Sequence, residues 1–483
     1  MAIITKVALL KRRRTKIVAT LGPASTTPEM ITSLIVAGVN VFRLNMSHGD
    51  HDFHRMVFHH IKTIREQLAE PVAVMADLCG PKIRTGQFQD GAIQLETGKS
   101  VTVTTRDVPG GPGLIPSQYQ ALAQDVRPGN RILLDDGNME LKVENVDGTE
   151  ISCTVVHGGK LKNHKGINLP GVNVSAPSLT EKDKIDAEFA LGLGVDFLAL
   201  SFVRRAADIQ ELRQLIAAHH GKAAIVAKIE KPEALEEASG IMECTDAIMV
   251  ARGDLGVELN PEEVPVAQSQ LIELARRHFK PVIVATQMLE SMIDHARPTR
   301  AEVTDIAHAV TQGTDAVMLS AETASGAYPI EAVKIMDRIA RQTEAILWKS
   351  GAYATGLAVL AQPPIPIWEA VGHAVNDMAH HLGARAVMVM SNSGTSATTV
   401  ASARPAAPVI AMTNDPAVYR RIALLWGVIP ILSEKVGTLN PNQLAKDVAK
   451  QLGLASTGQY VLLVRGFHSE SELNTPTITA LLV

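Results

Sequence analysis

Aromatic residues make up only 4% of this 483-residue chain, and it has just three cysteines, Cys79, Cys153 and Cys244. The cysteines lie far apart and form neither a CxxC pair nor an even framework. That excludes a disulfide-stapled scaffold and favours a reduced, cytoplasmic compartment. No apolar run reaches the ~18 residues of a membrane span and no signal-peptide core is visible, so neither membrane insertion nor secretion is expected. Excess charge is also lacking: the formal net charge is −4, which gives no global case for a nucleic-acid partner. The one dense basic run, Lys11-Arg12-Arg13-Arg14, abuts an apolar strand and reads as the coating of a chain entrance. What remains is 46% hydrophobic and 20% charged, an ordinary globular composition, with length for about three domains.

From Thr15 the pattern alternates strand and helix: KIVATLG, PEMITSLIVAG, VNVFRLNMS, HDFHRMVFHHIKTIREQLAE, VAVMADL. Helices between such strands imply parallel βαβ units. After Asp77 the rhythm changes. Short alternating runs (AIQLE, VTVTT, RILLDD, MELKVENV, EISCTVV) separated by Gly, Pro and Asp-Gly turns read as an all-β module. The βα rhythm resumes with DFLALSF, AIVAKI, AIMVA, PVIVATQ and DAVMLSA, giving eight strands in all. Eight βα units split by one insertion are the pattern of a TIM (β/α)8 barrel with a β-barrel lid in its third connection. A last segment alternating helix and strand reads as a doubly wound α/β domain, reached through the proline-rich linker ATGLAVLAQPPIP. The expected divisions are barrel over residues 1–81 and 178–350, lid over 82–177, and C-terminal α/β domain over 351–483.

Polar residues gather at the carboxyl ends of the barrel strands, where barrels place their chemistry. The second strand ends in Arg43-Leu44-Asn45-Met46-Ser47-His48-Gly49, the third in Asp77, and the fifth in Lys228 and Glu230. The sixth ends in Arg252-Gly253-Asp254, the seventh in Thr286-Gln287, and the eighth in Ser320 and Glu322. Glu230 and Asp254 are the oxygen ligands a hard cation prefers. Taken alone they and Lys228 read equally as an exposed ion pair. Arg43, Lys82, Arg84, Lys165 and Lys228 outnumber Asp77, Glu230 and Asp254, a balance that suits a phosphate ester and in-line phosphoryl transfer. Lys82 and Arg84 read also as solvated hinge residues. Thr97-Gly98-Lys99-Ser100 lacks the first glycine and the helix of a P-loop. His51, His54, His59 and His60 spread over more than one helical face and read as solvated. Ser391-Asn392-Ser393-Gly394-Thr395-Ser396, between a strand and a helix, fits both a phosphate cradle and an ordinary N-cap loop.

Nine segments (TKIVATLGPAS, FRLNMSHG, GPKIRTG, KGINLPG, KIEKPEAL, ARGDLGVEL, ATQMLESM, RPTRAEVTD and DAVMLSAETASGAYP) run in the order of the pyruvate kinase family, which the chain resembles along nearly its whole length. The resemblance implies the last step of glycolysis, conversion of phosphoenolpyruvate and ADP to pyruvate and ATP. It implies Mg2+, with Mn2+ as an alternative, on Glu230 and Asp254, and Lys228 neutralising the transferring phosphoryl group and the enolate. Arg43 resembles the phosphate-binding arginine. The amides of Gly253 and Asp254, with Thr286, resemble the substrate carboxylate site. Asn45, His48, Arg84 and Lys165 resemble nucleotide contacts, and a second Mg2+ enters with the nucleotide. The proton donor to the enolate stays open: a threonine hydroxyl such as that of Thr286 is too weak an acid to act alone, which points to a water relay with Ser320 and Glu322.

The family's potassium site maps to Asn45, Ser47, Asp77 and the following residue. Here Leu78 and Lys82 stand where threonine and glutamate are common, so a lysine ammonium takes the cation's place and activity without K+ is expected. The loop of Ser391 to Ser396 resembles the effector-phosphate site, with a sugar phosphate or AMP as effector. A homotetramer is implied by the family alone. Against this stand two other readings, a Mg2+-dependent lyase or aldolase and a sugar-phosphate sensor, which leave the lid or the intact Lys228, Glu230, Asp254 and Thr286 unexplained.

Overall fold

The computed structural model describes residues 13–351, 364–468 and 470–483. Lys11, Arg12 and all of the expected linker before Pro364 lie outside them. Eight parallel strands close a barrel in chain order: Lys16–Leu21, Val41–Asn45, Ala73–Asp77, Phe197–Leu200, Ala224–Ile229, Ala247–Ala251, Val282–Ala285 and Ala316–Leu319. Lys16 registers against Ala316 to complete the ring. Both strand faces are buried, which is why these segments read as continuous apolar runs instead of alternating ones. Val18, Met75, Phe197, Met249, Ile283 and Met318 fill the interior. Their neighbours Ile17, Val74, Leu198, Ile248, Val284 and Val317 face the helical layer. Helix starts follow local chemistry: Thr299 caps Arg300–Gln312 in a reciprocal capping box with Glu302, and Gly313 ends that helix at φ +87°, where a side chain is disfavoured.

Between the third and fourth barrel strands sits the β module, a six-stranded and a two-stranded sheet around their own apolar core. Cys153 is buried in that core, and burial pushes its thiol up to about 12. In a thiol titration of the folded protein at pH 8, Cys153 is expected to stay unmodified while the partly exposed Cys79 and Cys244 react. Labelling of Cys153 without unfolding would contradict this packing.

The C-terminal domain has a five-stranded sheet in the order Val428–Leu432, Val409–Thr413, Val387–Met390, Tyr460–Arg465, Thr477–Leu482. The last strand is antiparallel, and the sequence reading missed it: TITALL lies on an edge with half-exposed residues, so its pattern is weak. Two buried aspartates bolt this domain to the amino end of the barrel. Asp315 accepts from Arg404 through both oxygens, at 2.8 and 3.0 Å. Asp196 accepts from Arg420 at 2.7 Å and from the Val74 amide at 2.9 Å. Arg14 belongs to the same seam, donating to the carbonyl of Pro405 at 2.8 Å and lying over Trp348 and Trp426. Arg14 is therefore interdomain packing instead of the coating of an entrance, while Arg13 bonds Asp337 and Asn40 within the barrel.

Two local readings change. PEALEEASGIME is two short helices, Pro232–Glu236 and Ala238–Cys244, broken at Glu237. In the helix His51–Leu68 the histidines are partnered: His51 bonds Asp186 at 2.8 Å and stacks on Phe189, His54 is buried against the His48 carbonyl, and His60 bonds the Thr26 carbonyl. A solvated face holds only for His59. Among the described residues no helix is long and apolar enough to cross a membrane.

Candidate active site

At the carboxyl end of the barrel, the third and fifth strands bring Asp77, Lys228 and Glu230 into direct contact. Lys228 Nζ lies 2.9 Å from Glu230 Oε1, 3.2 Å from Asp77 Oδ1 and 2.6 Å from Ser201 Oγ. Arg43 Nε, from the second strand, lies 2.6 Å from Asp77 Oδ2. Burial alone would raise the Asp77 carboxyl, but Lys228 and Arg43 outweigh it and hold it below the ordinary aspartate range. Burial likewise works against charge on Lys228, and the anions Asp77 and Glu230 overcome it, so the ammonium persists well above its ordinary value. Two cations and two carboxylates, all almost wholly enclosed, are held here by mutual pairing.

Glu230 is the imperfectly balanced member. Burial pushes its carboxyl up to about 7; Lys228 opposes that shift, and the charge of Asp254 adds to it. Its second oxygen accepts from the Phe202 amide at 2.9 Å. An enclosed carboxyl that a neighbouring acid pushes toward its neutral form, next to a cleft, suits a divalent cation, whose charge would favour the ionised Glu230. Among the described residues no three or more His, Cys, Asp or Glu side chains form a metal-holding group. Glu230 and Asp254 are the carboxylates that could hold such a cation, the rest of its ligands then coming from water and substrate.

Asp254 sits with Gly253 in the first turn of the helix Arg252–Glu258, which starts as soon as the sixth strand ends. The Gly253 amide donates to Thr286 Oγ1 at 2.7 Å, and the Thr286 hydroxyl donates in turn to the Ala285 carbonyl at 2.6 Å. Thr286 and Gln287 both have positive φ, +68° and +55°. Glu322 gives one oxygen to the Ser320 amide and the other to the Leu289 amide, so it braces the turns after the seventh and eighth strands.

His48 is exposed, and its pKa is lowered by partial burial and then by the charges of Arg84, Lys82 and Arg43, which marks these four as one electropositive face. Arg84 Nη1 donates to the His164 carbonyl at 3.1 Å, across the β module. Lys165 pairs with Asp135 at 2.8 Å, inside that module, and not with the carboxylates at the mouth. Asn45 Oδ1 accepts from the Ser47 amide at 3.2 Å, Leu78 is buried, and the Lys82 side chain is exposed beside the cleft. Ser391 to Ser396 lie elsewhere, on the C-terminal domain. There Gly394, at φ +100°, caps the helix Thr395–Ser402, Asn392 and Ser393 are exposed, and Ser391 Oγ accepts from the Ala397 amide at 3.3 Å.

Three residues were missed or misread. Ser201 joins Lys228 to the Leu78 carbonyl, and its signal was the serine that ends DFLALS, a barrel strand not searched for an end group. Arg252 was noted without a role. Glu233, to which the sequence reading gave no functional role, lines the cleft beside Lys231, Asp254 and Phe202, with its Oε2 buried and unpartnered.

The comparisons with known proteins agree with this geometry. The profile "Pyruvate kinase, barrel domain" matches residues 12–333, and "Pyruvate kinase, alpha/beta domain" matches 369–479. Pyruvate kinase of Agrobacterium vitis is 43% identical, across 94% of this chain and 94% of its own length. Pyruvate kinase of Geobacillus stearothermophilus is 44% identical over 94% of this chain and 78% of its own. A crystal structure of a pyruvate kinase from Cryptosporidium parvum superposes with a TM-score of 0.90 at 34% identity, covering 99% of this chain and 97% of that one. A barrel with its β insertion, an α/β domain behind it and identity of this extent leave one assignment: the chain belongs to the pyruvate kinase family.

Proposed function

We infer that the chain transfers the phosphoryl group of phosphoenolpyruvate to ADP, giving pyruvate and ATP. The carrying observation is the enclosed ammonium of Lys228, held between Asp77 and Glu230 and kept charged against burial. In this reading the P–O bond to the enol oxygen breaks, a bond to the terminal ADP oxygen forms, and the enolate takes a proton at carbon. Lys228 and Arg43 meet charge on the phosphoryl and enolate oxygens without reorganisation, because their partners have already fixed them. Mg2+ on Glu230 and Asp254 would supply further charge neutralisation. Gly253, Asp254 and Thr286 hold the substrate carboxylate. Asn45, His48, Arg84 and Lys165 take the nucleotide, which requires Lys165 to exchange Asp135 for a phosphate. The domain divisions at residues 81/82, 177/178 and 350/351 belong to the same reading, as do a cytoplasmic location and a homotetramer.

Lys82, exposed at the cleft, supports activity without K+, and Ser391 to Ser396 support activation by a phosphorylated metabolite, a sugar phosphate or AMP. A coupled pyruvate assay is expected to require ADP and Mg2+ and to run at the same rate when K+ is replaced by tetramethylammonium. Lys82→Glu is expected to make the rate depend on K+. A strong K+ requirement of the unaltered chain would refute the lysine reading, and pyruvate release without ADP would favour a lyase.

A further inference from the structure

We propose that Arg252 is a positioning residue for the reaction, acting through Thr286; the proposal rests on the reading of Thr286 given above. Arg252 is the first residue of the short helix that carries Gly253 and Asp254, and its side chain is 10% exposed. It reaches sideways to the end of the seventh strand instead of out to solvent. Nη2 donates to the Thr286 carbonyl at 2.7 Å and approaches the Gln287 carbonyl at 3.4 Å, and Nε approaches the Ala285 carbonyl at 3.4 Å. Nη1 is anchored by Asp305, at 2.7 Å, from the helix Arg300–Gln312.

The carbonyls it gathers belong to an unusual turn. Thr286 and Gln287 both occupy the left-handed region, at φ +68° and +55°, and a β-branched residue adopts that conformation only where its surroundings impose it. Released, the turn would relax toward ordinary backbone angles and carry the Thr286 hydroxyl with it. That hydroxyl now bonds the Gly253 amide at 2.7 Å. The space beside it is tight: a Cβ on Gly253 would sit 3.3 Å from Thr286 Oγ1. The guanidinium has the planar fork needed to hold a carboxylate on one side and backbone carbonyls on the other, which a lysine cannot do. Arg252 thus ties the two halves of the proposed carboxylate site, the helix of Gly253 and Asp254 and the turn of Thr286, into one rigid piece.

The test is a double-mutant cycle on the full chain, read out by pyruvate formation and by solvent deuterium exchange into the methyl group of pyruvate, followed by NMR. Arg252→Met is expected to lower both rates by about tenfold to a hundredfold, the scale of an ångström-level misplacement. In a Thr286→Ala background the same change is expected to cost less than about twofold, because the group it positions is gone. Asp305→Asn, which loosens the clamp without touching the turn, is expected to give a smaller loss that also disappears in that background. Full additivity of Arg252→Met and Thr286→Ala, with the circular dichroism of each variant unchanged, would overturn the proposal, since a merely structural arginine weakens both backgrounds alike. If Arg252→Met does not fold, Asp305→Asn decides the matter by the same additivity criterion. A silent Thr286→Ala in the otherwise unaltered chain would overturn the role of Thr286, and with it this one.

Discussion

Lys228→Met is expected to reduce kcat by about a thousandfold, the upper range for losing a preorganised donor to developing negative charge. The same substitution has a structural cost. Lys228 is paired with Asp77 and Glu230 at 3.2 and 2.9 Å in an enclosed site, and breaking a buried pair commonly costs about 3–5 kcal/mol. The lower end, about 3 kcal/mol, is expected here, because Asp77 keeps Arg43 and Glu230 can take up a proton. Urea unfolding in EDTA measures this directly, and steady-state kinetics measures the first effect. Activity within tenfold of the unaltered chain would contradict the central role given to the ammonium.

The sign of the pH dependence follows from the same cluster. The folded Asp77 carboxyl lies below its ordinary value because Lys228 and Arg43 outweigh burial. Its contribution to stability is therefore complete above the unfolded aspartate value of about 4 and disappears as pH falls through the lower folded value. Lys228→Met removes one of the two cations responsible, so the contribution of Asp77 is expected to be smaller in the variant and to be exhausted at a higher pH, its loss still beginning near the unfolded value.

Arg404→Met is expected to produce the largest loss of stability away from the mouth, about 3–5 kcal/mol. The guanidinium meets both oxygens of Asp315 at 2.8 and 3.0 Å, its Nη2 also donates to the Gly313 carbonyl, and it lies 4.9 Å from the Trp426 ring centre. Without it Asp315 keeps the amides of Val282 and Trp426 but loses the guanidinium that meets both of its oxygens, and Arg276 is left as a nearby cation. The damage falls on the seam between barrel and C-terminal domain, so calorimetry is expected to show one transition splitting into two. Arg404→Lys is expected to recover only part of the loss, because an ammonium cannot match both carboxylate oxygens. A single transition at the original temperature for Arg404→Met would show that the seam is held by apolar packing instead.

The barrel and the position of its mouth were legible in the sequence because buried parallel strands write themselves as uninterrupted apolar runs, and their polar ends stand out against them. Lys228, Glu230, Asp254, Arg43 and Asp77 were visible for that reason. Ser201 was hidden because one serine after an apolar run is commonplace, and its meaning comes only from Lys228, on the next strand. Arg252 was hidden because its targets are backbone carbonyls, which no side-chain pattern announces. His51 was misjudged because its partners, Asp186 and Phe189, sit on a helix more than a hundred residues away, and His54 and His60 because theirs are the backbone carbonyls of His48 and Thr26. The strand Thr477–Leu482 was lost to the weak alternation of a sheet edge.

The most direct test is phosphorus NMR of phosphoenolpyruvate with ADP and Mg2+, run on the unaltered chain and on Glu230→Gln. The account predicts that the phosphoenolpyruvate signal disappears as the γ-phosphate signal of ATP rises in equal amount with the unaltered chain, and that transfer slows by about a hundredfold or more in Glu230→Gln. Equal rates in the two, or release of inorganic phosphate in place of ATP, would contradict it.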